Sequence, residues 1–391
     1  MPLASANRNA TPPDRHIVLA GGGYAHLLLM RRWARQPLPG TRLTLISPQT
    51  ELPYSAMLPG LLAGEYSPQE SHIDLRRLCR GAGVQLVLDE VRGLDREQQR
   101  VLLSQHGTLD YDLLSINTGP VSDRSVPGVA EHAVPLKPLA CFLPHWQQCL
   151  RQLQLATRPL QLVMVGAGAG GLESLLGMAR GIARDQSIVH KPQLTLLGAS
   201  DRLLPDFPAT VGRVALARCR AAGIEVLCGQ RVSRVEAGLL YTDNRLQVPR
   251  PYDILFWCGD TAAAAWPAAS GLTCDGKGFI GINAQLQSIG DKRVFAAGDA
   301  AAFSERALPK AGVFAVRQAP VLFHNLRAAL SEQPLRAYRP QQRFLSLLDL
   351  GDKLATGSYG QLAAQHRLLR RWKSAIDRHF MRGLQALYQE P

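Results

Sequence analysis

The chain has 391 residues, 46% of them hydrophobic and 19% charged, with 35 glycines and 26 prolines. That is enough for two or three domains with their own cores, and the composition excludes a disordered, collagen-like or coiled-coil protein. Lys and Arg number 44 against 31 Asp and Glu, a net +13 that favours anionic partners such as nucleotides or acidic head groups.

Residues 1–15 form a polar leader without the apolar centre of a signal peptide and are expected to be disordered. The apolar stretches near Leu160 and Leu255 are cut by Glu173 and Asp260, short of the roughly 18 residues a spanning helix needs. Seven cysteines, odd in number and without a C-x-x-C pair, fit reduced thiols and a cytoplasmic protein.

In chain order, residues 17–20 (IVLA) read as a short buried strand that runs into GGGYAH (21–26), a helix, and a second strand at 42–47. Residues 160–165 run in the same way into GAGAGG (166–171), a helix, and a strand at 193–198. The chain therefore contains a repeat. In each copy the glycines make a tight turn that lets N–H groups at a helix N-terminus approach a pyrophosphate, as dinucleotide binding requires. The candidate contacts are Gly21, Gly22, Gly23, Tyr24, Ala25 and His26 in the first turn, and Gly166, Gly168 and Gly171 in the second.

Both copies depart from the full fingerprint. His26 stands where a third glycine normally allows close helix-to-strand packing, so either the helix sits further off or the imidazole points at the ligand. The acidic residue expected after each second strand is missing. Ser47 occupies the first position and can hydrogen-bond a ribose; Gly198, Ala199 and Ser200 occupy the second. Without that carboxylate, Arg202 is either a partner for a 2′-phosphate or a solvated loop cation, and both NADH and NADPH fit.

Further motifs follow: YDLLSINTG (111–119), VPGV (126–129) and VFAAGD (294–299). Together with the two turns they make the chain resemble the pyridine nucleotide-disulfide oxidoreductase superfamily of flavoproteins. The resemblance implies an α/β fold with two Rossmann-like dinucleotide-binding domains, one for FAD and one for NAD(P)H, the second inserted in the first. The implied layout is a first FAD-binding segment at 16–125, an NAD(P)H-binding domain at 126–275 and a returning FAD-binding segment at 276–335. An α/β tail with a basic amphipathic helix fills 336–391. The resemblance places Asp299, beside Gly298, on the ribityl chain of FAD. It makes Thr118-Gly119 the end of the first FAD segment, and adds Pro53, Val91, Gly259, Gly312 and Val313 as cofactor-lining positions.

Disulfide reductases of this superfamily carry two close cysteines after the first βαβ unit, but residues 52–60 (LPYSAMLPG) have none. Residues 308–313 (LPKAGV) also lack the cysteine that sulfide:quinone oxidoreductases use. The branch left is the one resembling type II NADH dehydrogenases, which pass electrons through FAD to a quinone without thiols. The chain also resembles the flavoprotein module fused ahead of selenophosphate synthetase in some bacteria. That likeness rests on GGGYAH, TLISP (44–48), PYSAMLPG (53–60), PKAGVFAVRQ (309–318) and the residues around Trp372, Ile376 and Phe380. It suggests selenium chemistry by association only.

Three side chains are catalytic candidates. Glu173 lies in the first turn of the second motif's helix, where its family counterpart approaches the nicotinamide and where a carboxylate is also favoured by the helix dipole. Lys310, in an otherwise apolar run, either stabilises negative charge on a reduced flavin or is a surface lysine. Gln318 stands where type II dehydrogenases carry a paired glutamine, although its neighbour Arg317 departs from that pattern. A helix is expected from Ala311 to Leu330, and Tyr54 either walls the flavin pocket or packs in the core.

From Leu362 to Leu387 the apolar residues Leu369, Trp372, Ile376, Phe380, Leu384 and Leu387 recur at helical spacing, with six Lys or Arg against the single acid Asp377. Such a helix either docks on the protein or a second subunit, or lies in the inner face of a membrane. The expected function is an FAD-dependent NAD(P)H dehydrogenase with a small-molecule acceptor, a quinone or a small sulfur or selenium compound. The alternative is a non-catalytic FAD-binding redox sensor or scaffold. No metal site is expected, and no nucleic-acid motif is present.

Overall fold

The computed structural model describes residues 15–243, 248–351 and 354–388. The expected leader, except Arg15, lies outside the described residues; Arg15 already belongs to the first strand, Arg15–Ala20. That strand is an interior strand of an eight-stranded sheet, third from one edge. On one side it pairs in parallel with Thr41–Ser47, which pairs with Gln85–Leu88. On the other it pairs with Leu113–Ile116, which pairs with Asp291–Ala296. The sheet ends with the short strands Gln287–Ser288, Ile280–Ile282 and Ala301–Phe303. Val18 sits opposite both Thr44 and Leu114, and its strand is buried on both faces, which explains a continuous apolar run rather than an alternating one.

A second, five-stranded parallel sheet has the order Val134–Pro135, Ile254–Trp257, Gln161–Val165, Gln193–Leu197 and Ile224–Leu227. The first sheet is mixed, because Gln287–Ser288 runs antiparallel to both its neighbours, and each of the two sheets is accompanied by a three-stranded antiparallel sheet. The first comprises Val91–Asp95, Arg100–Leu103 and Thr108–Asp110, and the second Val232–Glu236, Leu239–Thr242 and Arg250–Pro251. The repeat is therefore larger than the glycine turns that announce it. Where the chain passes from one unit to the other and back, Val121–Ser122 pairs antiparallel with Thr261–Ala262.

The tail departs from a single helix. Leu362–His366 is the edge strand of an antiparallel sheet with Ala355–Tyr359 and Leu345–Asp349, and only Arg367–Gln385 is helical. Residues 362–366 pair on one side with Ala355–Tyr359, so the start of the expected helical stretch is a strand instead. The tail joins both cores: Met381 and Leu384 pack with the first sheet, Leu348 and Leu350 with the second.

Candidate functional site

Both glycine turns leave the carboxyl ends of interior parallel strands, where open α/β sheets gather ligands. At the first, Gly21 adopts φ +90°, a left-handed conformation that glycine alone takes freely, and its N–H donates to the Ile46 carbonyl at 2.9 Å. The turn enters the helix Tyr24–Trp33, which begins with no side-chain cap from Gly23. Asn117 supplies it instead: Oδ1 accepts the Ala25 N–H at 3.1 Å, and Nδ2 donates to the Ala297 carbonyl at 2.7 Å. Asn117 thus ties the first turn to the strand end that precedes Gly298 and Asp299. It belongs to the YDLLSINTG motif, and only its own two bonds show it to be the knot.

His26 is fully buried under this helix. Nδ1 meets the Gly21 carbonyl at 2.6 Å and Nε2 meets Ser115 Oγ at 2.8 Å, so both ring nitrogens are occupied by protein. Burial pulls its pKa down to about 4, which keeps the ring neutral. A carbonyl can only accept, so Nδ1 carries the proton and Nε2 accepts from the serine. Ser47 is also buried; its hydroxyl donates to the Gln49 carbonyl at 3.0 Å and accepts from the Gln49 N–H. Pro53 lies in a short strand, Val91 is buried, Thr118 is exposed, and Gly119 turns with φ +73°.

Gly298 and Asp299 form a short 3-10 turn after the strand Asp291–Ala296. Gln318, only 2% exposed, accepts the Gly298 N–H on Oε1 at 2.7 Å, so it holds the turn that presents Asp299. Burial raises the Asp299 pKa, against the opposing pull of Lys137 and Lys310. Lys137 reaches across from the second unit to within 4.0 Å of the Asp299 carboxylate, a contact no sequence motif announces. Lys310 donates to the Ala301 carbonyl at 2.8 Å and lies 3.5 Å from the centroid of the Phe279 ring. Burial brings its pKa down to about 8, with Asp299 and Asp275 opposing. The helix expected from Ala311 runs over Gly312–Leu330 with Ala311 as its N-cap. Half-buried Gly312 and Val313 open this helix, with the Tyr24 ring against Gly312.

Tyr54 is buried and stacks on Phe380 of the tail helix at 4.7 Å, with Tyr24 edge-on to both. The first turn, the 3-10 turn and the start of Gly312–Leu330 thus converge on one end of the first sheet.

At the second turn, Gly166 (φ +117°) donates its N–H to the Leu197 carbonyl at 2.8 Å, and Gly168 is the N-cap of the helix Ala169–Arg184. Gly259 follows the adjacent strand Ile254–Trp257, against the Trp257 indole. Ser200 is exposed. Arg202 is fully engaged within its own loop, donating to the carbonyls of Leu204, Pro205 and Phe207 at 3.2, 2.5 and 2.9 Å. Glu173 points to the tail, where it accepts the Asp349 N–H at 2.7 Å. Burial raises its pKa to about 7, opposed by Lys373 and by that hydrogen bond. Lys373 pairs with Asp377 at 2.9 Å and donates to the Ala56 carbonyl at 2.6 Å. Burial lowers the Lys373 pKa, but Asp377, Glu173 and Asp349 outweigh it and the net shift is upward.

All seven cysteines are free thiols. Among the described residues no group of His, Cys, Asp or Glu is placed to hold a metal, and no helix is long and apolar enough to cross a membrane.

Two sheets, each with a glycine turn that opens a helix at the carboxyl end of a parallel strand, define a fold with two Rossmann-like units. Residues 15–319 match the family described as pyridine nucleotide-disulphide oxidoreductase, and the chain belongs to it. As a member of that family it is an oxidoreductase. The demethylphylloquinone reductase NdbB of a Synechocystis species is 24% identical over 88% of this chain and 85% of its own length. The NADH dehydrogenase-like protein YutJ of Bacillus subtilis is 22% identical over 93% and 97%. The structure of NDH2 from Plasmodium falciparum in complex with NADH superposes with a TM-score of 0.80 at 16% identity, covering 96% of this chain and 99% of that one. The sulfide:quinone oxidoreductase of Aquifex aeolicus gives 0.77 at 16% identity, over 95% and 92%.

Proposed function

We propose that this chain oxidises NADH or NADPH and passes the electrons through FAD to a quinone-type or small sulfur or selenium acceptor, without a redox disulfide. The observation that carries this is the convergence of the first glycine turn, the Gln318-held Asp299 turn and the start of the Gly312–Leu330 helix. The quinone class is supported by the relative whose name states it, a demethylphylloquinone reductase. The sulfur or selenium class rests on the sequence likeness to the synthetase-fused module. The FAD-binding unit comprises residues 16–125 and 276–335, and the NAD(P)H-binding unit residues 126–275.

The residues present fit the flavin. The turn of Gly21, Gly22 and Gly23 offers bare backbone at a helix N-terminus for a pyrophosphate, and Asp299 offers a carboxylate for a polyol chain. Thr118, Gly119, Gly312 and Val313 border the same region. Gly166, Gly168 and Gly171 offer the second such turn, for the nicotinamide dinucleotide. Flavin supplies two-electron chemistry when bound. Lys310 and Lys137 bring positive charge beside Asp299. Reduction of a quinone to a quinol consumes two electrons and two protons, so a hydride must be joined by a proton from solvent. Glu173, raised by burial to about 7, can exchange a proton around neutral pH at the boundary with the tail.

The tail also supports a peripheral contact with the inner face of an anionic membrane. Leu362, Leu368 and Trp372 are 75%, 61% and 51% exposed, beside exposed Arg367 and Arg371. Co-sedimentation with anionic but not neutral vesicles tests this contact.

Anaerobic mixing with NADH and with NADPH tests the reaction, and the flavin absorption band is expected to bleach. Folded protein that stays colourless after incubation with excess FAD overturns the proposal. Bound flavin that neither nicotinamide reduces leaves the redox-sensor or scaffold alternative.

A further inference from the structure

Glu65 is one carboxylate with cations from two separate regions around it. It lies just after the short helix Leu58–Leu62 of the first unit and is mostly buried. From the helix Ala169–Arg184 of the second unit, Arg180 approaches it to 3.5 Å and Arg184 to 3.3 Å. From the tail helix, Arg370 reaches its other oxygen at 2.6 Å. Arg180 also pairs with Asp349 of the tail sheet at 3.3 Å, and Arg184 donates to the Ala63 carbonyl at 2.6 Å.

The backbone makes the same junction independently of charge. Gly181 on the second unit's helix leaves so little room that a Cβ there would lie 2.3 Å from the Leu62 carbonyl. Leu58 and Leu62, although they belong to the first unit's chain, are buried in the second unit's core together with Leu348 and Leu350 of the tail. Ions, close backbone contact and shared core thus coincide at one seam, on the helix that carries the second glycine turn and Glu173.

We infer that Glu65 is a positioning residue, the hub of a clamp that fixes the angle between the two nucleotide-binding units. Its link to the reaction rests on the proposed function, because the approach of a nicotinamide to the flavin depends on that angle.

Two variants act on the clamp by different means. Glu65→Gln keeps the shape and removes the charge; Gly181→Ala keeps the charges and wedges the helix away from Leu62. Small-angle scattering of the full chain, as purified with its flavin, reads the angle without any turnover. Both variants are expected to show a larger maximum dimension than the parent, with FAD content unchanged. They are also expected to slow anaerobic flavin reduction by about 10-fold at saturating NADH, with KM little altered. Scattering profiles that coincide with the parent's overturn the clamp, whatever the reduction rate. Enlarged profiles with unchanged reduction overturn its positioning role in the reaction. Because scattering does not need the nicotinamide, failure of the clamp is distinguishable from failure of the proposed function.

Discussion

The two glycine turns solve one packing problem in opposite ways. In the second, Gly171 lets the helix settle directly on its own loop: a Cβ there would lie 2.0 Å from the Gly166 carbonyl, and the Cys258 side chain closes the remaining space at 3.3 Å. In the first, His26 fills the corresponding space and its two ring nitrogens bond the Gly21 carbonyl and Ser115, while Asn117 braces the helix start. A missing side chain and a fully hydrogen-bonded one can hold the same turn, because what the fold requires is a fixed distance with no unpaired polar atom.

The largest effect is expected from removing the brace. Asn117→Ala leaves the Ala25 N–H and the Ala297 carbonyl without their partner, at a cost of roughly 2–4 kcal/mol, and should strip FAD from the protein. Thermal melting and the ratio of flavin to protein absorbance measure both. Gly171→Ala should cost about 1–3 kcal/mol by overpacking and abolish reduction by NAD(P)H while FAD remains bound, which would show that the two turns serve different ligands.

His26→Ala sharpens the comparison through pH. The folded-state pKa of about 4 lies below the usual 6.5, so the unfolded chain takes up the proton first and stability falls as pH drops from 6.5 towards 4. The variant should lose some of that acid limb in denaturant titrations, with His16, also held near 4, retaining its share. Glu173 has the opposite sign. Its pKa of about 7 lies above the usual 4.5, so its ionisation is disfavoured in the fold and stability falls as pH rises from 4.5 to 7. Glu173→Gln should flatten that interval and remove a limb near pH 7 from the rate of acceptor reduction. The smallest effect is expected at Arg202, whose guanidinium is engaged by three carbonyls of its own loop. Arg202→Ala should cost about 1 kcal/mol and leave the ratio of NADPH to NADH activity unchanged in steady-state assays.

The repeat is readable because strand, glycine turn and helix are local: IVLA before GGGYAH and LQLVMV before GAGAGG carry their own conformational instructions. The companion antiparallel sheets and the Val121–Ser122 pairing with Thr261–Ala262 have no such local mark. The tail shows how local spacing can mislead. Its apolar stripe is divided in the structure, with Leu384 buried and Trp372 and Ile376 exposed, and the expected helical stretch begins as the strand Leu362–His366. A helical apolar pattern fixes which residues share a face but not which neighbour that face meets.

From the amino-acid order alone come the two glycine turns, the missing cysteine pair and the family resemblance, since each is carried by short runs of adjacent residues. Only the tertiary structure decided that Gln318 serves the Asp299 turn, that Arg202 is bound within its own loop, and that Glu65, Arg180 and Arg370 meet at one seam. The physical reason is distance along the chain. Glu65 and Arg370 are brought together by the packing of the tail across both cores, and no local propensity of either segment encodes that contact.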